Sequence, residues 1–168
     1  ESPGRLYLGV CAPGKRLKTA LIRVYAAFMA ASQLLYEKNG RLADPWMTLV
    51  GYFNSMRELG GMRRVVDDTL RTRLTRMEQR GLADRNIYPY SVDELTSRKG
   101  GRDIPTVLDQ LEAVFDPELA EERRNRRRTG EEVSKTEYPL DIVLATNMIS
   151  VGVDVGRLGL MVVASQPK

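Results

Sequence analysis

Fourteen residues near the end of this chain constrain its fold more than any others: Asp141-Ile-Val-Leu-Ala-Thr-Asn-Met-Ile-Ser-Val-Gly-Val-Asp154. An apolar run over residues 142–145 stops at Thr146 and Asn147. Gly152-Val153-Asp154 follows, and then a second apolar run over residues 158–164. Short apolar runs bounded by turn signals are what the central strands of a parallel sheet look like, since such strands are buried on both faces. A hydroxyl, an amide and a carboxylate then gather at the carboxyl end of a strand, where open α/β sheets bind their ligands.

The wider chain fits that reading. Its 168 residues suffice for one domain with its own core. The formal charge of +4 permits an anionic partner without demanding one. Cys11 is the single cysteine and there is no histidine. An internal disulfide is therefore excluded, a reducing, cytoplasmic setting is expected, and no metal site is expected. No run of about eighteen apolar residues and no signal peptide stands out in the sequence, so no membrane partner is expected. The chain begins at Glu1 and is read as a fragment of a longer protein.

Residues 5–10 suggest a short strand. Gly9 and Gly14-Lys15 come near a phosphate-binding loop, but Arg16 stands where such a loop needs Ser or Thr for magnesium. A strand-to-helix turn is the expectation there. Residues 19–37 form an amphipathic helix with Leu21, Val24, Tyr25, Phe28, Ser32 and Leu35 on one face, ended by Asn39-Gly40. Residues 46–53 read as a strand. Ser55-Met-Arg-Glu58 is a capping box opening a helix whose apolar face is Leu59, Met62, Val66, Leu70, Leu74 and Met77. Gly60-Gly61 within it signals close packing or a break. Residues 87–95 read as a weaker strand, followed by Thr96, Ser97 and Arg98 and by a helix from about Asp103. Residues 116–136 are a charged insertion carrying Arg123, Arg124, Arg126, Arg127 and Arg128. They form either a solvated face or a loop that grips phosphates.

Ala145-Thr146 and Gly152-Val153-Asp154 resemble motif V of superfamily 2 helicases. The strand-Asn54-Ser55-helix unit looks like their motif IV. The wording of the stretch is closest to helicase-like subunits of DISARM-type anti-phage defence systems. The resemblance implies an α/β, three-layer RecA-like domain with a mainly parallel sheet, the C-terminal lobe of a P-loop NTPase-like helicase. It divides the chain into residues 1–45, leading in from a first lobe, and residues 46–168, the second lobe, truncated after motif V. The implied function is ATP-dependent translocation along nucleic acid, DNA in preference to RNA, with other defence subunits as partners.

In that scheme Asn54, Ser55, Thr96, Ser97, Arg98, Thr146 and Asn147 contact the nucleic-acid backbone. Gly152 and Asp154 line the ATP cleft. Ser55 has a second reading as a simple helix cap, Thr146 as the donor of a local bond, and Asp154 as a cap or ion-pair partner. ATP and Mg2+ would be held mainly by the first lobe, because no complete Walker A or DEAH-like sequence occurs here. No catalytic residue is expected in this chain, and by itself it is expected to be inactive. The alternative is a non-catalytic module of RecA-like fold that binds nucleic acid or protein.

Overall fold

A computed structural model describes residues 4–146 and 155–164. Their strands are β1 (Leu49–Tyr52), β2 (Val92–Leu95), β3 (Ile142–Ala145) and β4 (Leu160–Val163). They pair in the order β2-β3-β1-β4, and every pairing is parallel. Alternation along each strand sends neighbouring side chains to opposite faces. Leu49, Val92, Ile142, Leu144 and Val162 pack on one face with α1 (Leu17–Asn39), α2 (Met56–Val65) and α3 (Arg71–Leu74). Val50, Leu95, Val143 and Ala145 pack on the other with Val107 and Leu111 of α4 (Asp103–Glu112). The result is an α/β domain of three layers, consistent with a RecA-like fold.

α1 buries Leu21, Tyr25, Ala26, Met29, Ala30 and Ser32, and Gly40 ends it with a φ of 54°. Leu35, expected on the buried face, is 44% exposed. The reason is length: a 23-residue helix runs about 35 Å, past strands of about 13 Å. Tyr25 stands end-on over Gly51 of β1, where an added Cβ would collide with its hydroxyl. The glycine thus sets how closely α1 approaches the sheet. Residues Leu17–Trp46 meet a length and mean-hydropathy test for a membrane span. In this fold the apolar face of α1 is packed against the sheet.

The predicted face of the second helix is buried throughout: Leu59, Met62, Val66, Leu70, Leu74 and Met77 are all 3% exposed or less. Its spacing has a structural cost. Steps of four from Met62 to Leu74 outrun 3.6 residues per turn, so a regular helix would rotate these side chains off the sheet. A wide turn over Val66–Leu70, closed by the Arg71 N–H donating to the Val66 carbonyl, absorbs the drift. Gly60 meets nothing a methyl group would touch, and Gly61 meets only the tip of Lys18. The helix continues through both glycines, which make no close backbone contact.

One expectation is corrected, and one open alternative is narrowed. Residues 5–10 form no strand; Leu6, Tyr7 and Leu8 are 83%, 82% and 67% exposed. No neighbouring strand offers them hydrogen bonds among the described residues. Residues 9–15 therefore follow no strand, and the phosphate-loop alternative loses its framework. The charged insertion, read as either a solvated face or a loop, folds as the solvent-facing helix α5 (Pro117–Arg128), capped by the Asp116 carboxylate accepting the Glu118 N–H at 2.9 Å.

Candidate nucleic-acid interface

Because every strand runs the same way, all four carboxyl ends open on one edge of the sheet. The strand order sets Thr146, after β3, between the residues that follow β2 and those that follow β1. The ladder extends just past the strands. The Phe53 N–H donates to the Ala145 carbonyl at 2.9 Å, Thr146 N–H to the Leu95 carbonyl at 3.4 Å, and Ala164 N–H to the Tyr52 carbonyl at 2.9 Å. These bonds fix the backbone from which the predicted side chains project.

The side chains differ in what they present. Ser55 is exposed and caps α2, its hydroxyl accepting the Glu58 N–H at 3.3 Å. Asn54 and Thr146 are half-buried. The Thr146 hydroxyl has the Met56 sulfur at 4.0 Å, a weak acceptor that leaves it able to donate elsewhere. Thr96 is only 1% exposed, whereas Ser97 and Arg98 are exposed. Asn147, Gly152 and Asp154 lie outside the described residues. Asn54, Ser55, Thr96, Ser97, Arg98 and Thr146 thus share one edge, with Thr96 sunk within it.

The opposite edge carries two buried ion pairs. Arg157 meets the Asp44 carboxylate in a fork, Nε to Oδ2 at 2.8 Å and Nη2 to Oδ1 at 2.5 Å. It also donates to Thr48 Oγ1 and to the Leu111 and Asp44 carbonyls. Arg85 reaches Asp141 at 2.5 Å and the Met47 carbonyl at 2.7 Å, and the Ser91 hydroxyl donates to the same carboxylate. Both guanidiniums lie over the Phe115 ring, at 5.6 and 5.5 Å. These pairs anchor the residues just before β1, β2 and β3, and so position the strand-end edge from behind. Sequence reasoning missed them. Asp44 and Asp141 stood at predicted element boundaries, but their partners lie far along the chain.

The fold and its open edge define a parallel-sheet α/β domain presenting short polar side chains at its strand ends. No family model matches the chain. It is similar to the DISARM protein DrmA of Bacillus paralicheniformis, with 43% identity over 170 aligned positions. That alignment takes in the whole of this chain and 13% of the relative's length.

Proposed function

We propose that this domain is the C-terminal lobe of an ATP-dependent nucleic-acid helicase or translocase in a DISARM-type anti-phage system. The observation that carries the reading is the convergence of Asn54-Ser55, Thr146 and Ser97-Arg98 on one sheet edge, with Thr146 central. Neutral donors on a fixed backbone hold phosphates without reading bases. Likeness to a DISARM protein supports the defence setting; a cytoplasmic location and partnership with other subunits are part of the same proposal. Thr96, buried, would hold Ser97 and Arg98 in place rather than touch the strand itself.

Gly152 and Asp154 would face the cleft between this lobe and a first lobe, where ATP binds. Among the described residues no group of three His, Cys, Asp or Glu side chains could hold a metal ion. By the helicase resemblance, magnesium chemistry would rest with the first lobe. The same loop would touch both ligands, so nucleotide state could alter grip on the strand.

The test is binding of labelled single-stranded DNA across a salt series, with Thr146→Ala alongside. Hydrogen bonds to charged groups contribute about 1.5–3 kcal/mol, so the substitution should weaken binding at least tenfold. Unchanged affinity would move the grip elsewhere in the protein. The same series with RNA of equal length decides between the two nucleic acids.

A further inference from the structure

The amino-terminal edge of the sheet carries a surface that the strand-end reading leaves unused. Tyr88 and Tyr90 stand just before β2, and Tyr138 before β3, so all three lie across the sheet from Thr146. The Tyr88 and Tyr90 rings stack with centroids 5.3 Å apart and planes within 5°. Tyr138 meets Tyr90 edge-on at 6.2 Å. Tyr88 and Tyr90 are 50% and 48% exposed. The turn that holds them is stiff. Pro89 fixes the backbone between them, and the Ser91 hydroxyl accepts the Tyr88 N–H at 3.2 Å while donating to the buried Asp141 carboxylate.

α5 lies beside this cluster. Arg123 and Arg127 place their guanidiniums 5.4 and 4.9 Å from the Tyr138 ring centre. Arg124 and Arg128, next round the helix, are exposed and have no ion-pair partner among the described residues. Among the described residues, Arg126 is the one α5 arginine in an ion pair, with Glu131 and Glu137. Glu118, Glu121 and Glu122 occupy the first half of the helix, so positive charge gathers at its far end.

We propose that the tyrosine cluster and the α5 arginines form a second contact for single-stranded nucleic acid, on the edge opposite Thr146. Half-exposed stacked rings offer flat faces to unpaired bases, and the arginines offer charge to the phosphates between them. A duplex keeps its base faces inside and has no use for the rings. An acidic polypeptide would use the arginines and leave the rings idle. The combination therefore selects an unpaired strand, and it does so whether or not the strand-end assignment holds.

The test is anisotropy of a labelled oligothymidylate of about fifteen nucleotides, a length suited to one such platform. Tyr88→Ala with Tyr90→Ala should weaken binding about tenfold or more, because each stacked base contributes strongly. Tyr88→Phe with Tyr90→Phe should bind as the parent does. Arg124→Ala with Arg128→Ala should flatten the logarithmic salt dependence by about 1.4, at roughly 0.7 per phosphate on a single strand. All three effects should persist on a Thr146→Ala background. Oligouridylate run in parallel separates RNA from DNA, and tight binding of either supports the proposal. Circular dichroism of each variant separates lost stacking from lost folding. Parent-like binding by the alanine pair overturns the proposal, as does equal weakening by the phenylalanine pair. Equal competition by duplex DNA or by polyglutamate also overturns it. Loss in Thr146→Ala alone would leave the strand-end reading standing without this one.

Discussion

Tyr25 holds a polar atom that meets no hydrogen-bond partner among the described residues. Its side chain is fully buried over Gly51, its hydroxyl makes no hydrogen bond among the described residues, and burial raises its pKa above the usual tyrosine range. An unpaired buried donor costs about 1–3 kcal/mol. Tyr25→Phe should therefore stabilise the domain by about 1 kcal/mol in urea unfolding, and a loss of stability would show that the hydroxyl has a partner. Asp93 is the opposite case. Burial alone would raise its pKa, but the Lys99 ammonium, the Glu94 N–H at 2.7 Å and the charge of Lys135 outweigh it, so the carboxyl sits below its usual 3.8. A carboxyl depressed in the folded state contributes stability above the unfolded pKa and loses it as pH falls through the folded value. The stability difference between the parent and Asp93→Asn should thus be full near neutrality and shrink below about pH 4. A difference constant from pH 6 to pH 3 would remove the carboxylate from the account.

At the scale of elements, periodicity carried the reading furthest. The six buried residues from Leu59 to Met77 were legible because packing on a flat sheet imposes a repeat that any chain must display. The wide turn was implicit in their four-residue spacing but is a property of the backbone, visible only once the register is fixed. Gly60 is a clean test, being exposed and helical with open space where a side chain would go. Gly60→Ala should raise stability by about 1 kcal/mol. A destabilised variant would mean that the helix breaks at this point in some populated state. Residues 5–10 misled because alternation and apolar content describe a strand that could form. Whether one does depends on a neighbour that a local window cannot see.

For the whole molecule, the parallel sheet and the edge shared by Ser55, Ser97 and Thr146 followed from short runs and the polar residues after them. The Arg157–Asp44 and Arg85–Asp141 pairs did not, since a pairing 113 positions apart leaves no mark on local sequence. If the motor reading is right, the purified domain should show no ATP hydrolysis above background in a phosphate-release assay. Turnover that disappears with Asp154→Ala would overturn it. Strand order also bears on how the protein is made. Within this sheet β1 leaves the ribosome before the strands it pairs with, β3 and β4. Thr48, just before it, bonds a carbonyl 92 positions later. At about 5–20 residues per second, the first-made strand waits many seconds with both edges bare. Through that interval the nascent chain depends on the helix that precedes the strand, or on a chaperone, to keep other chains from pairing with it.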